Sequence, residues 1–184
     1  MTASTWDEFG QRLVCEDDWH AESRPLAWPM PEPLLQRLAE RNTAALGTVA
    51  ALEERRAESV DDEGPVMQEL ARLDAKLNAL IDMVNRIALP ADALPPRRGL
   101  RFNAIGAVLP PALLPPGEAL LLRLHFDVCP GAPLELPARI ERRFDDGSAY
   151  AAFHGLGDGV AASLERFVFR HHRRKVAGAR QAAG

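Results

Sequence analysis

Residues 34–87 read LLQRLAERNTAALGTVAALEERRAESVDDEGPVMQELARLDAKLNALIDMVNRI and carry a seven-residue apolar repeat. Spacings of three and four residues keep one seam on the same side of an under-wound helix, which is the coiled-coil pattern. The rest of so short a chain cannot bury a seam of this length, so the repeat predicts self-assembly. The seam residues are Leu35, Leu38, Asn42, Ala45, Val49, Leu52, Val66, Leu70, Leu73, Leu77, Leu80, Val84 and Ile87.

The middle of the repeat allows two interpretations. Arg56, Ser59 and Glu63 interrupt the seam beside Gly64-Pro65. A proline after acidic residues suits a helix start, which predicts two helices of about 25 residues with a break near residues 59–65. The repeat nevertheless keeps its phase across the break, which favours one kinked helix spanning roughly 80 Å. We prefer the break, and the polarity of the helices stays open.

The positions beside the seam indicate the size of the assembly. Met67 and Ile81 extend the apolar stripe beyond the two seam positions, as a bundle requires in which each helix touches two neighbours. Leucines at the first seam position, Leu70 and Leu77, with Ile87 at the fourth, favour four strands. We therefore predict a homotetramer. Asn42 inside the seam fits either a polar residue that fixes the register or an asparagine at a locally loose site.

Composition and charge restrict the class of protein. The chain has 184 residues and a net charge of −4, with no run of 18 uncharged apolar residues that could span a membrane. Its N-terminus lacks an apolar signal segment, and Cys15 and Cys129 are isolated, so we expect a cytoplasmic protein with reduced thiols. Residues 1–94 are acidic, which argues against a dedicated nucleic-acid binder, and residues 95–184 are basic, which would attract an anionic ligand.

The second half of the chain changes to short runs of strand length divided by Pro-Gly and Asp-Gly turns. These runs predict a small antiparallel barrel of five strands, closed by a helix over 158–175. The predicted strands are 99–103, 107–109, 119–128, 134–144 and 149–153. The fold class is therefore α+β, a long heptad-repeat helical region followed by the barrel and a C-terminal helix.

The same patterns give the expected organisation of the chain. An N-terminal segment packs on the rest, and a heptad-repeat oligomerisation region, a linker, the barrel with its helix, and a disordered tail follow it. The corresponding ranges are 1–33, 34–89, 90–98, 99–175 and 176–184.

From about Leu100 to Arg173 the chain resembles the PilZ domain, a small bacterial β-barrel that often serves as a receptor for cyclic di-GMP. With the heptad-rich helices in front, the whole chain looks like the atypical, tetrameric branch of that family. The resemblance implies a signalling role with no catalytic centre and no cofactor. It is carried by NAIGAVL (103–109), PPGE (115–118), PARIER (137–142), YAAF (150–153) and LERFV (164–168).

The ligand motifs depart from the receptor pattern, which pairs an upstream RxxxR arm with a [D/N]xSxxG turn. Alignment on Gly106 places Arg101 at the Asp/Asn position and Asn103 at the Ser position, so only the glycine matches. Arg97 and Arg101 spell RxxxR, but Arg101 would then serve both motifs. Arg97, Arg98, Arg101, Asn103 and Gly106 are the candidate ligand-binding residues, and the resemblance predicts weak or absent cyclic di-GMP binding at this degraded site.

Enzymatic and metal-binding motifs are missing from the sequence, since its five histidines show no metal-ligand spacing and Asp145-Asp146-Gly147 is typical of a turn. The sequence thus predicts a non-enzymatic, oligomeric PilZ-like adaptor that acts on an unknown partner protein. One alternative is a genuine cyclic di-GMP receptor with a rearranged arginine site. A second is a structural scaffold whose basic Arg170–Lys175 tail binds nucleic acid.

Overall fold

Six antiparallel strands close into a barrel in the order β1-β2-β3-β6-β5-β4. The computed structural model describes residues 4–57, 65–90 and 93–182. Helix α1 precedes β1, helices α2 and α3 lie between β1 and β2, and α4 follows β6. The elements are α1 (Thr5–Gln11), β1 (Cys15–Pro25), α2 (Glu32–Ala57), α3 (Pro65–Ala88), β2 (Arg97–Phe102), β3 (Gly106–Leu109), a 3-10 turn (Pro111–Leu113), β4 (Ala119–Phe126), β5 (Cys129–Arg143), β6 (Ala149–Phe153) and α4 (Gly157–Ala182).

The barrel forms because its strands alternate apolar side chains toward one core. In β4, Leu120, Leu122 and Leu124 are fully buried, whereas Leu121 and Arg123 between them are half-buried. Successive side chains of a strand point to opposite faces, so this alternation directs one set inward. Helix α4 packs on the same core through Val160, Leu164, Phe167 and Val168, which share one helical face.

Helix α2 packs against β5 and α4 of its own chain. Leu38, Ala45 and Val49, three predicted seam residues, are buried there. Asn42 is also buried: its Nδ2 donates to the Glu135 carbonyl at 2.7 Å, and its Oδ1 accepts from the Glu135 N–H at 2.8 Å. This half of the predicted oligomer seam is therefore a packing face within one protomer. Asn42 joins α2 to β5 and does not fix a register between subunits.

Helix α3 has the same repeat but a different environment. Its seam residues are exposed, from 40 % for Leu77 to 76 % for Ile87. The exposed set is Val66, Leu70, Leu73, Leu77, Leu80, Val84 and Ile87. The repeat is thus divided between a buried helix and an exposed one.

The structure confirms the α+β fold class, the closed antiparallel barrel and the C-terminal helix, and it adds one strand. All five predicted strands are present with boundaries that differ by a few residues. The sixth is β1, which lies within the segment expected to pack on the rest as an N-terminal preface. It pairs with both β2 and β4 and completes the barrel.

Two other boundaries differ from the sequence-based expectation, and a third lies mostly outside the described residues. Strand β2 begins at Arg97, so the expected linker over 90–98 ends in the barrel. Helix α4 continues to Ala182 through the expected disordered tail, because alanine, glutamine and arginine have high helix propensity. Residues 58–64 lie outside the described residues, and so does most of the expected break at 59–65, including the seam interruptions Ser59 and Glu63.

Candidate functional site

The predicted ligand residues lie on and after β2, which pairs with β1 along the barrel wall. Arg97 and Arg101 occupy alternate positions on one face of β2, with Gly99 between them. In the antiparallel register, Glu16 lies opposite Arg101 and Asp18 opposite Gly99. Strand β1 thus places carboxylates directly beside the two arginines.

Arg97 is engaged within its own chain. Its Nη1 donates to the Asp18 carbonyl oxygen at 2.9 Å, and its Nη2 donates to Asp127 Oδ1 at 2.6 Å. The hydrogen bond to Asp127 raises the pKa of the Arg97 guanidinium. To bind a ligand phosphate, Arg97 would have to give up these charge-assisted contacts.

Arg101 and Arg98 do not join Arg97 in a common cluster. Arg101 Nε lies 3.5 Å from Glu16 Oε2, in an exposed ion pair. Arg98 lies opposite Trp19 in the register, on the other face of β2 from Arg97 and Arg101. The structure therefore brings two of the three predicted arginines to one face and the third to the other.

A groove of about 510 Å³ lies beside Arg101, and its charge is unfavourable for an anion. Four carboxylates line it, from Glu16, Asp17, Asp18 and Asp146, against two cations from Arg101 and Lys175. Charges of one sign in a cleft repel a ligand of the same sign. A cyclic dinucleotide with two phosphates would meet this repulsion.

Asn103, a candidate ligand-binding residue, has both ends of its side-chain amide engaged within the chain. The residue is 2 % exposed. Its Oδ1 accepts from the Ile105 N–H at 2.9 Å, and its Nδ2 donates to the Phe9 carbonyl at 3.1 Å. Asn103 therefore holds the β2–β3 turn and fastens helix α1 to it.

Gly106 has a packing role in the same turn. A Cβ atom at this position would lie 2.5 Å from the Ala151 carbonyl oxygen and 2.7 Å from the Tyr150 ring. Only glycine allows this approach of β3 to β6. The one residue that matches the receptor motif is thus required by the barrel itself.

The basic end of helix α4 folds back on acidic residues of α2 and β1. Arg174 Nη2 lies 2.7 Å from Glu53 Oε1, and Arg170 Nε lies 3.6 Å from Glu53 Oε2. Lys175 donates to the Glu16 carbonyl at 2.6 Å. Three cations of the predicted nucleic-acid-binding tail are therefore engaged inside the chain.

His171 lies in this interface and lines a cleft of about 360 Å³ with Trp19, Phe126 and Phe167. Its Nε2 is 3.2 Å from Asp17 Oδ2. Burial lowers the pKa of His171, and the negative charge of Asp17 opposes that effect. The sequence analysis did not identify this cluster. The acidic run at residues 16–18 and the basic run at 170–175 were the only signal that two oppositely charged segments could meet.

The apolar face of α3 is the other candidate site. Besides the seven seam residues it exposes Met67 and Met83, and the main packing of α3 on its own chain, within the described residues, is against β5. Contiguous apolar patches of this kind mark protein interfaces. The geometry therefore offers a surface for protein association.

Within the described residues, no group of three or more His, Cys, Asp or Glu side chains is placed to hold a metal ion. None of the helices in the described ranges is both long and apolar enough to cross a membrane.

Comparison with known proteins gives two findings. The family model described as "Atypical PilZ domain, cyclic di-GMP receptor" matches residues 46–181. The chain is also similar to the crystal structure of a pathogenic protein from Xanthomonas campestris, described as a new tetrameric PilZ domain self-assembled via an unusual helical bundle. That similarity has a TM-score of 0.72 and 26 % identity, and it covers 94 % of this chain and 95 % of the other. No curated protein matches this sequence significantly.

Proposed function

We propose, since this chain belongs to the atypical PilZ domain family, that it is an oligomeric signalling adaptor in cyclic di-GMP pathways. Its subunits assemble through α3, and its own nucleotide site is degraded. The barrel and α4 form the part that a partner protein recognises. We expect the protein to act in the cytoplasm, where its two buried, free cysteines stay reduced.

The exposed apolar face of α3 is the observation that carries this proposal. Leu73, Leu80 and Ile87 are 53 %, 57 % and 76 % exposed, whereas Leu38 and Ala45, at the same seam position in α2, are buried in the protomer. An amphipathic helix gains most of its stability by burying such a face. The similar Xanthomonas campestris protein is described as a tetramer assembled through a helical bundle. This supports a bundle of four α3 helices, one from each subunit, that buries the apolar face.

Light scattering on the full chain tests the assembly. We expect a mass of about four chains, because the stripe on α3 extends to positions beside the seam. Leu73→Asp combined with Leu80→Asp should dissociate the assembly, since each substitution would bury an unpaired charge. Gln68→Asp combined with Ala75→Asp is the matched control, because it adds the same charge on the opposite side of α3. A wild-type monomer at micromolar concentration would refute this part of the proposal.

The contacts of the arginines support a degraded nucleotide site. A receptor needs free guanidinium groups for two phosphates and an acceptor for guanine, whereas Arg97, Arg101 and Asn103 are engaged within the chain. Each charge-assisted contact is worth about 1.5–3 kcal/mol, so losing two or three weakens binding by a few orders of magnitude.

Calorimetric titration with cyclic di-GMP tests the site. We expect no binding at low micromolar concentration. Tight binding that disappears in Arg98→Ala or Arg101→Ala would establish the alternative, a receptor with a rearranged arginine site. In that case the degraded-site part of the proposal fails and the assembly through α3 is unaffected.

A further inference from the structure

The outward face of helix α4 carries a ridge that lies outside the barrel core and apart from helix α3. Arg166, Phe169, Arg173 and Val176 follow one another at spacings of three and four residues and share one side of the helix. Phe169 is 55 % exposed and Val176 is 37 % exposed. The Arg173 guanidinium lies over the Phe169 ring, 5.9 Å from its centroid. We name these four residues the Phe169 ridge.

A groove of about 350 Å³ lies beside the ridge. Its floor includes Ala104 and Val168, which are buried, and its walls include Phe169 and the exposed Leu13. This volume suits one or two apolar side chains of a ligand. The groove and the ridge together form an apolar site with cations along one edge.

An ion pair fixes the shape of the groove. Arg12, after the end of α1, pairs with Glu165 on α4 and also with Glu8 at 2.6 Å. These contacts join the segment that carries Leu13 to α4. Arg12 offsets part of the negative charge of Glu165, the carboxylate that lines the groove, and Arg166 and Arg173 add two positive charges along the Phe169 ridge.

We propose that the groove and the Phe169 ridge bind an acidic amphipathic helix of a partner protein. In this complex an apolar side chain of the partner enters the groove, and flanking Asp or Glu side chains meet Arg166 and Arg173. Binding of an amphipathic helix through apolar anchors at helical spacing is a common recognition mode. Complementary charge at the edge of such a site sets its specificity and association rate. This inference rests on the proposed function only in assuming that the adaptor has a protein partner.

Charge distinguishes this partner from the other possible occupants. Helix α3 of a second copy carries three Asp or Glu and three Lys or Arg residues, so it is neutral and offers the ridge no complementary charge. Nucleic acid binds through extended basic surfaces with many phosphate contacts, whereas the ridge has two arginines around an apolar groove. An acidic helix satisfies both the apolar and the charged part of the site.

Fluorescence anisotropy on the full-length assembly tests the proposal with two synthetic peptides of about 14 residues, four helical turns. The first has leucines along one face and glutamates beside them, and the second has lysines in place of the glutamates. We expect the wild type to bind the glutamate peptide at least about tenfold more tightly than the lysine peptide. Phe169→Ala should weaken binding of the glutamate peptide by about tenfold or more, as for an anchor residue at an interface.

Charge reversal gives the decisive comparison. Arg166→Glu combined with Arg173→Glu should exchange the preference, so that the lysine peptide binds more tightly. Leu34→Ala on α2 is the control, since it removes an exposed apolar side chain outside both the ridge and the α3 seam and should leave peptide binding unchanged. Equal binding of both peptides, or no effect of Phe169→Ala, would overturn the proposal. So would a loss of the light-scattering mass in Phe169→Ala, which would assign the ridge to a second copy.

Discussion

Replacing Asn42 distinguishes a residue of the protomer core from a residue of a subunit seam. The seven-residue repeat places Asn42 among seam positions, whereas the structure buries its amide between α2 and β5. We consider Asn42→Ala, which removes the amide and leaves the helical backbone intact. Its effect on the free energy of unfolding should be large, and its effect on the size of the assembly should be small.

The magnitude follows from the two hydrogen bonds. They satisfy both the N–H and the carbonyl of Glu135, a residue only 6 % exposed whose carboxylate is also paired with Arg41 at 2.9 Å. A buried polar group left without a partner costs about 1–3 kcal/mol, so two such groups cost about 2–5 kcal/mol after some relaxation. Because a domain of this size has a free energy of unfolding of about 5–15 kcal/mol, the variant should lose a large part of its stability.

Urea unfolding followed by tryptophan fluorescence measures this loss. The measurement belongs in the Leu73→Asp/Leu80→Asp background, because assembly would otherwise add a concentration-dependent term to the apparent stability. Asn78→Ala is the matched control: Asn78 is an exposed asparagine on α3, and its replacement should change stability by less than about 0.5 kcal/mol. If Asn42→Ala unfolds like Asn78→Ala but lowers the light-scattering mass of the otherwise wild-type chain, the amide belongs to a subunit seam and the argument is refuted.

Three other residues give direct tests. Gly106→Ala should lower the free energy of unfolding by at least about 1–3 kcal/mol, because the added Cβ would overlap Ala151. Gly47→Ala in α2, where the added Cβ meets open space, should raise it by about 0.5–1 kcal/mol in the same urea titration. Burial lowers the pKa of His171 from its ordinary value of 6.5, so the unfolded chain binds more protons and stability falls as the pH is lowered through that value. The melting temperature should therefore fall less between pH 7.5 and pH 5.5 in His171→Gln than in the wild type. An equal fall in both proteins would contradict this role of His171. Burial raises the pKa of Cys15 to about 12, so a maleimide at pH 8 should label this thiol slowly in the native protein and rapidly in urea.

The barrel was largely predictable because its strands alternate apolar and polar residues between strong turn signals. Leu120, Leu122 and Leu124 show this alternation without ambiguity. Strand β1 was not predictable in the same way. Only Cys15 and Ala21 of its eleven residues are fully buried, and three consecutive acidic residues between them resemble a solvated loop. Pairing with β2 and β4 makes this segment a strand, and a single sequence does not show that pairing.

The repeat over α2 and α3 shows another limit of sequence patterns. A period of three and four residues tells which side of a helix is apolar, but it does not tell whether the same chain or another copy covers that side. Val49 in α2 is fully buried by its own chain, while Leu73 in α3 is 53 % exposed. The one polar member of the seam, Asn42, was the best available sign of the difference, since its amide requires a specific partner such as a strand backbone.

At the candidate nucleotide site, residue types alone could not tell whether the arginines are free to bind an anion. Three arginines within five residues suggest an anion site. Whether their guanidinium groups are free to bind an anion depends on which residues of the neighbouring strand lie opposite them. Strand β1 places Glu16 beside Arg101 and the Asp18 carbonyl 2.9 Å from Arg97, so both guanidinium groups face oxygen atoms of the barrel wall. The strand that completes the fold is thus also the element that places carboxylates beside these arginines. An anion at this wall would have to compete with the oxygen atoms of β1, and adding further arginines to β2 would leave these opposing carboxylates in place.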